Sequence, residues 1–377
     1  MRATLGLLIM AVTLLLGLGI VLVASAGGVR GYNLYGDSHY FVIRQLVWIV
    51  IAVTGCVAAY KFDYHWWIKN QKLTAALYIA VAVALFLVIC PGIRCKINGS
   101  YRWLNLGSFS VQPGEFAKTV TVIAMSVWLS RTGFRVRSFV KGALLPSIGL
   151  GVLVALLLCE PDFGATLTVG LIGGMLMFVA GTRLLHLSIF GISGGVIVGA
   201  LVWFTSNRME RIEKWFQGIP YQVEQSLKAF QIGGLGGEGF TNSIQKWNYL
   251  PEAHTDFIFA IGGEEFGFIF SIGVIIIYMV ILACGIFISM RAPDSLGRLL
   301  AFGMTFLLTF QAAWNIAVVT GCTITKGLAL PFVSYGGTNL ITAFIAVGTL
   351  LNIGRYIVVC DADGTRVPVV KNALITL

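Results

Sequence analysis

The amino-acid sequence predicts an all-α integral membrane protein, a polytopic bundle of about ten transmembrane helices. Of its 377 residues, 57% are hydrophobic and only 11% are charged, and the mean hydropathy is +0.87. Apolar runs of about 20 residues, the length that crosses the hydrocarbon core of a bilayer, recur along the chain. No polar segment is long enough to bury a core of its own, so residues 1–377 are predicted to form a single membrane domain.

Hydropathy places the first of these spans close to the N-terminus. Arg2, an apolar run and the small residues at 24–26 imitate a signal peptide, but the run Leu5–Ala26 is too long for a signal core and is predicted to be a span. The ten predicted spans are residues 5–26, 41–60, 73–91, 115–130, 143–159, 163–181, 187–205, 266–290, 299–320 and 336–358.

Lysine and arginine in the short connections predict the orientation of the spans. One face carries Arg2, Lys61, Lys69, Lys72, Arg131, Arg135, Arg137, Lys141, Arg183, Arg291 and Arg298, whereas the opposite short loops carry fewer basic residues. The richer face is therefore predicted to be cytoplasmic, with both termini inside. One long extracytoplasmic loop, about residues 207–263, then joins spans seven and eight, and Tyr221–Phe230 in it is predicted to be an amphipathic helix on the membrane surface.

The polar stretch Gly233–Gly267 in this loop is the main candidate for a functional site. It begins with five glycines in seven residues, which permit close approach of the backbone to a ligand. It also gathers Glu238, Lys246, Glu252, His254, Asp256, Glu264 and Glu265. Ionisable groups at a membrane boundary are costly and usually mark function.

Four further polar clusters fall at the predicted outer ends of spans, on the same side as Asp256. They are residues 98–118 with Arg102, Trp103, Glu115 and Lys118; residues 160–164 with Asp162; residues 325–328 with Lys326; and residues 331–337 with Ser334. The sequence therefore predicts that these side chains converge at one extracytoplasmic site.

Structural roles are alternatives for several of these residues. Glu115 and Lys118, three apart on a helix, could be an ion pair, and Asp162 could cap span six. Asp256 could likewise cap span eight. His254 could be a hydrogen-bonding loop residue, and Lys326 could extend its ammonium to the interface.

Composition also limits the partners. The net charge of +10 suits contact with anionic lipid or a diphosphate substrate. No basic patch interleaved with aromatic residues lies outside the spans, so nucleic acid is not an expected partner. The seven cysteines show no metal-ligand spacing, although Cys90, Cys95 and Cys322 could pair near one membrane face. Asp361-Ala362-Asp363 imitates a metal–nucleotide motif but falls in the cytoplasmic tail.

Five motifs in order give a specific resemblance. They are NGSYRWLNLG with QPGEFAK, EPDFG, QSLKAFQIGGLGG, LPEAHTDFIFAIGGEEFG and LALPFVSYGGTN. Together they resemble the shape, elongation, division and sporulation (SEDS) family of RodA/FtsW-type membrane glycosyltransferases over nearly the whole chain. LPEAHTDFIFA and the residues at 325–328 are most similar to the cell-division branch, with the elongation branch as the alternative.

The resemblance implies polymerisation of lipid II into peptidoglycan glycan strands during septal cell-wall synthesis. In this reading Asp256 is the general base, Arg102, Trp103, His254, Lys326 and Ser334 bind substrate, and Glu115, Lys118, Asp162 and Glu264 support them. Arg102, Lys326 and a divalent cation (Mg²⁺ or Mn²⁺) would stabilise the leaving diphosphate. The ligands of that cation are left open, with Asp256 and Glu264 as candidates.

The family further implies a bacterial inner-membrane enzyme at the division septum, with its active site facing outward. Its implied partners are lipid II, a class B penicillin-binding protein transpeptidase and other division-complex membrane proteins. A lipid II flippase and a recruiting scaffold are alternatives from other classes. A flippase should carry polar groups through to the cytoplasmic side, whereas here they crowd the outer end; a scaffold would not need Asp256.

Overall fold

The computed structural model describes residues 1–90, 94–97, 100–107, 109–160, 162–203, 218–324, 327–360 and 366–368. These residues form mainly long helices, which confirms the predicted all-α membrane architecture. The helices are α1 (Arg2–Tyr35), α2 (Tyr40–Lys61), α3 (Trp66–Lys69), α4 (Gln71–Ile89), α5 (Pro113–Thr132), α6 (Leu145–Cys159), α7 (Phe163–Ala180), α8 (Leu184–Trp203), α9 (Tyr221–Gly233), α10 (Ile258–Arg291), α11 (Ser295–Val319) and α12 (Gly337–Tyr356).

Eight of the described helices are long and apolar enough to cross a membrane: α1, α2, α4, the α6 helix with the π-helical turn Val140–Leu144 before it, α7, α10, α11 and α12. The chain is therefore a multi-pass membrane protein. Helices α5 and α8 occupy the other two predicted spans. Helix α5 is more polar because it carries Glu115 and Lys118, and α8 is apolar over Leu184–Val196.

A small β-sheet, which the sequence did not predict, lies between α4 and α5. Strands β1 (Arg94–Ile97), β2 (Ser100–Leu106) and β3 (Phe109–Val111) pair antiparallel in that order. Strand β2 carries Arg102 and Trp103, and Trp103 lies opposite Cys95 in the β1 register. The sheet fixes this loop, so Arg102 projects from a strand instead of from an irregular connection. A second pair, β4 (Val358–Cys360) and β5 (Arg366–Pro368), forms in the C-terminal tail.

Helix α9 confirms that Tyr221–Phe230 is helical, whereas its placement on the membrane surface stays a prediction. Its buried residues include Val223, Ser226 and Ala229, and the Ser226 hydroxyl donates to the Val319 carbonyl of α11 over 2.7 Å. The buried face of α9 therefore packs against the protein's own helices.

Helix α10 is broken at Gly267, where φ is 77° and ψ is −168°. The glycine-rich segment Gly233–Gly239 supplies the hydrogen bonds that the break removes. The N–H groups of residues 238 and 239 donate to the carbonyls of Glu264 and Glu265, each over 3.0 Å. On the far side, the Phe268 N–H donates to the Gly234 carbonyl over 2.9 Å. A Cβ at Gly267 would overlap this segment, so the close backbone approach requires glycine.

The main core lies where α1, α10, α11 and α12 meet, and it is filled by apolar residues such as Leu15, Ile281, Leu300 and Leu350. Helix α2 packs closely along α12, where Gly348 lies against the Cys56 carbonyl. This interior anchors the segments before α10 and α12, which carry most of the candidate site.

Candidate functional site

Three consecutive carbonyl groups hold the turn that precedes α10. The His254 carbonyl accepts from the Tyr335 N–H over 3.1 Å, and the Thr255 carbonyl accepts from the Ser334 hydroxyl over 2.6 Å. The Asp256 carbonyl accepts from Asn315 Nδ2 over 2.7 Å. Because helix α11 and the segment before α12 both contribute donors, the position of Asp256 is fixed by long-range contacts.

The Asp256 carboxylate is half-buried and does not cap the following helix. Helix α10 begins after Phe257, and no side chain caps its N-terminus, so the capping interpretation of Asp256 is not supported. Burial raises the pKa of Asp256 to about 7; the negative charges of Glu252, Asp162 and Glu115 add to this rise and Arg102 opposes it. A carboxylate with that pKa can exchange a proton near neutral pH.

Arg102 and Asp162 form the second part of the site. Arg102 Nη1 lies 3.9 Å from Asp162 Oδ1. The same Oδ1 accepts from the Ala165 N–H over 3.2 Å, so Asp162 caps α7 as one interpretation predicted. Its Oδ2 accepts from Gln112 Nε2 over 3.1 Å. Asp162 thus joins β2, the start of α5 and the start of α7.

Glu115 and Lys118 form the predicted ion pair. Lys118 Nζ lies 2.7 Å from Glu115 Oε1, and the lysine side chain is 1% exposed. Lys118 also donates to Gln311 Oε1 of α11 over 3.0 Å. Gln311 Nε2 in turn donates to Asn339 Oδ1 and to the Ala329 carbonyl. The pair is therefore part of a network that joins α5, α11 and α12.

Two polar residues of α11 that support the site were missed from sequence. Gln311 and Asn315 are one turn apart and buried. Asn315 Nδ2 donates to the carbonyls of both Asp256 and Leu328. The available signal was the presence of two amide side chains, four residues apart, inside an apolar span, where polar groups are expensive.

The charges of Arg102, Glu115 and Asp162 all influence the pKa of Asp256, and the Arg102 guanidinium lies 3.9 Å from the Asp162 carboxylate. Lys326 lies outside the described residues. Its neighbour Gly327 lies directly against Asp256, since a Cβ there would overlap Asp256 Oδ2. Among the described residues, contacts link the cluster at 98–118 to that at 160–164, and link the clusters at 325–328 and 331–337 to the turn that carries Asp256.

The remaining predicted substrate-binding residues have differing surroundings. The His254 ring is buried against Phe41, with centroids 4.7 Å apart, and burial lowers its pKa to about 4. The Ser334 hydroxyl accepts from the Leu330 N–H as well as donating to Thr255. These contacts favour packing and positioning roles for His254 and Ser334. Trp103 is partly buried on β2.

Glu264 and Glu265 fasten the glycine-rich segment. Glu264 accepts from the Ser243 hydroxyl over 2.5 Å and from the Ile244 N–H over 2.8 Å. Glu265 pairs with Lys246 over 2.9 Å and accepts from the Ser25 hydroxyl of α1. Both carboxylates therefore have structural partners inside the protein.

A divalent cation was also expected, with its ligands left open and with Asp256 and Glu264 as candidates. Among the residues described, no three His, Cys, Asp or Glu side chains are grouped so that they could hold a metal ion. The oxygens of Glu264 already accept from the loop, and no contact joins it to Asp256. Asp256 and Glu264 therefore do not form a shared ligand pair, and the ligands of the expected cation stay unassigned. Cys90 and Cys322 are both free thiols, so they do not pair as suggested.

The arrangement can perform acid–base chemistry on a substrate that also carries negative charge. Asp256 provides a base of suitable pKa, and the Arg102 guanidinium lies within the same electrostatic cluster. Asn315 holds the backbone of Asp256, and Asp162, itself held by Gln112 and the start of α7, lies 3.9 Å from Arg102. These contacts matter because catalytic groups need defined positions.

Comparison with known proteins shows the family of the chain. The chain matches the FtsW, RodA and SpoVE family model, described as cell cycle protein, over residues 6–357. It is 38% identical over 363 residues to a probable peptidoglycan glycosyltransferase FtsW of Trichlorobacter lovleyi, covering 95% of this chain and 94% of the relative. It is also 38% identical over 361 residues to stage V sporulation protein E of Bacillus subtilis, covering 93% and 96%.

Two solved structures share the fold. One comes from work on structural coordination of polymerisation and crosslinking by a peptidoglycan synthase complex; it has a TM-score of 0.74 and 25% identity and covers 92% of this chain and 96% of that chain. The other is the rod shape determining protein RodA of Thermus thermophilus, with a TM-score of 0.68, 26% identity and coverage of 91% and 94%. The family model, the relatives and the sequence motifs agree. The chain belongs to the FtsW/RodA/SpoVE family of cell cycle proteins.

Proposed function

We propose that this chain is a peptidoglycan glycosyltransferase that polymerises lipid II, with Asp256 as the general base. The observation that supports this most directly is the placement of Asp256 in a turn held by Asn315 and Ser334, where burial raises its pKa to about 7 and where Arg102 and Asp162 act on it electrostatically. The relatives named as probable peptidoglycan glycosyltransferases agree in chemistry.

Asp256 takes the proton from the acceptor 4-hydroxyl as that oxygen attacks the anomeric carbon of the donor. The donor is α-linked through a diphosphate and the product is β-1,4-linked, so a single displacement inverts the configuration. This logic matches that of inverting glycosidases, in which one carboxylate activates the nucleophile without a covalent intermediate. A pKa near the working pH suits a group that must accept and then release a proton.

The leaving diphosphate needs positive charge instead of a proton. Arg102 is well suited to this, because a guanidinium can bind two phosphate oxygens at once. Its position beside Asp162 fixes the direction of the side chain. Lys326 adds a second cation in this proposal. No step is assigned to a divalent cation, since the described carboxylates do not form a ready site for one.

The proposed enzyme works at the outer surface of the bacterial inner membrane, with both termini in the cytoplasm and with the division septum as its site of action. A class B penicillin-binding protein transpeptidase and other membrane proteins of the division complex are its proposed partners. The solved peptidoglycan synthase complex, which couples polymerisation to crosslinking, supports such a partner by analogy.

Polymerisation of labelled lipid II by the purified protein tests the activity. We expect glycan chains to form, with more product when the transpeptidase partner is present. A flippase would instead move lipid II across vesicle membranes without making glycan. Translocation without polymer, with or without partner, would contradict the proposal.

The orientation is tested by single-cysteine labelling on a background without the native cysteines. Because the basic residues of the short loops set the topology, a cysteine at Phe240 should react with an impermeant maleimide in intact cells. A cysteine at Phe134, which is 89% exposed in the predicted cytoplasmic turn, should react only after permeabilisation and is the matched control. The reverse pattern would place the site on the wrong side for lipid II polymerisation.

A further inference from the structure

Glu160 is a buried carboxyl group that the proposed chemistry does not use. It follows the last residue of α6 and is only 2% exposed. Neither of its carboxylate oxygens has a hydrogen-bond partner among the described residues. An ionised carboxylate in such a position loses its hydration without receiving any donor in return, which is very unfavourable. Glu160 therefore carries a proton near neutral pH.

The neighbours of Glu160 are the charged groups of the proposed site. Asp162, two residues along the chain, and Arg102 of β2 both act on it electrostatically. The same two residues act on Asp256, whose other charged neighbours are Glu252 and Glu115. Burial, reinforced by Asp162 and opposed by Arg102, raises the pKa of Glu160 to about 8.

One guanidinium, that of Arg102, lies 3.9 Å from Asp162 and acts electrostatically on the carboxyl groups of Glu160 and Asp256. With Asp162 and Asp256 ionised and Glu160 protonated, Arg102 faces two negative charges in this cluster. A third charge, on Glu160, would hold Arg102 more strongly and would also repel an anionic ligand. The protonation state of Glu160 thus sets how well the site receives a diphosphate.

We propose that Glu160 is a positioning residue: by staying protonated, it leaves the charge of Arg102 directed at the anionic diphosphate of the polyprenyl-linked donor. This inference rests on the proposed function. A carboxylate that binds a ligand or caps a helix acts in its ionised form, whereas Glu160 acts here in its protonated form.

The consequence is a bell-shaped pH dependence of kcat/KM. Loss of the proton from Asp256 activates the base on the acid side, and loss of the proton from Glu160 weakens donor binding on the alkaline side. In Glu160→Gln the side chain keeps its shape but cannot ionise. We therefore expect the variant to lose the alkaline limb. At pH 9 its kcat/KM, expressed relative to its own maximum, should be roughly tenfold higher than that of the wild type, because its KM for lipid II does not rise.

The experiment measures polymerisation of labelled lipid II by full-length wild type, Glu160→Gln and Glu160→Asp from pH 6 to 9.5. Glu160→Asp retains a titrating carboxyl group and should keep an alkaline limb. Glu224→Gln is the matched control, since Glu224 is an exposed partner of Lys228 and its loss should leave the profile unchanged. Thermal unfolding at each pH separates instability from altered chemistry.

An unchanged alkaline limb in Glu160→Gln would overturn the proposal, as would inactivity of a folded Glu160→Gln at every pH. If this variant fails to fold, infrared spectroscopy of the protonated carboxyl band in an Asp256→Asn background still tests it. No carboxyl group titrating near pH 8 in that background would also overturn it. Absence of polymer from the wild type at every pH would instead refute the proposed function.

Discussion

Asp256→Asn is expected to slow lipid II polymerisation by about 10²–10⁴-fold, the usual contribution of a general base. Asparagine keeps the size and shape of the side chain, and the backbone carbonyl of residue 256 still accepts from Asn315. The turn before α10 should therefore fold normally, while the group that accepts the proton is lost. The measurement is the initial rate of glycan formation by purified protein at matched folding.

The pH dependence gives a second readout for Asp256. The base must be ionised, so the wild-type kcat/KM should fall as pH drops through the pKa of about 7. The residual activity of Asp256→Asn should not show this acid limb. Asp256→Glu should recover little, because a displacement of about 1 Å can cost about a hundredfold, and Gly327 leaves no room beside the carboxylate.

Glu224→Gln serves as the control, because it removes an exposed carboxylate outside the site. It should polymerise lipid II at the wild-type rate. Substantial polymer from a folded Asp256→Asn, with the acid limb intact, would remove Asp256 from the mechanism. A capping role would give that result, since asparagine is itself a good N-cap.

The sequence was sufficient to predict the helical architecture and most of the site, because each depends on signals that are local in the chain. Apolar runs predicted every long helix, and the outer polar clusters predicted the approach of Arg102 to Asp162 and of Gly327 and Ser334 to the turn that carries Asp256. The spacing of Glu115 and Lys118 predicted their ion pair directly, since residues three apart share a helix face.

The features that the sequence did not predict depend on contacts between residues far apart in the chain. The three-stranded sheet that carries Arg102 depends on pairing between short, irregular segments, for which the local pattern was weak. The glycine-rich segment forms hydrogen bonds with the backbone where helix α10 is broken at Gly267. A hydropathy profile shows this helix only as a continuous apolar run and does not reveal the break. Glu160 could not be singled out, because a carboxyl group without donors is recognisable only when its surroundings are known.

Removing one member of the buried Glu115–Lys118 pair should lower the free energy of unfolding far more than removing one member of an exposed ion pair. Lys118 is 1% exposed and Glu115 is buried, so Glu115→Gln or Lys118→Met leaves an uncompensated charge in the interior. Each single change is expected to lower the free energy of unfolding by about 3–5 kcal/mol. The double variant should lose less than the sum, because neither charge remains.

The matched control is the exposed pair Glu224 and Lys228, whose side-chain atoms lie 2.8 Å apart. The same changes there should cost only about 0.3–0.5 kcal/mol. Reversible unfolding in detergent or bicelles, measured on both double-mutant cycles, gives the coupling energies directly. Additive costs for Glu115→Gln and Lys118→Met would refute an energetically coupled pair. A double variant that is as stable as the wild type but inactive would instead show that the pair is needed for activity. The network that links Lys118 to Gln311 would then position the active site without contributing to the stability of the fold.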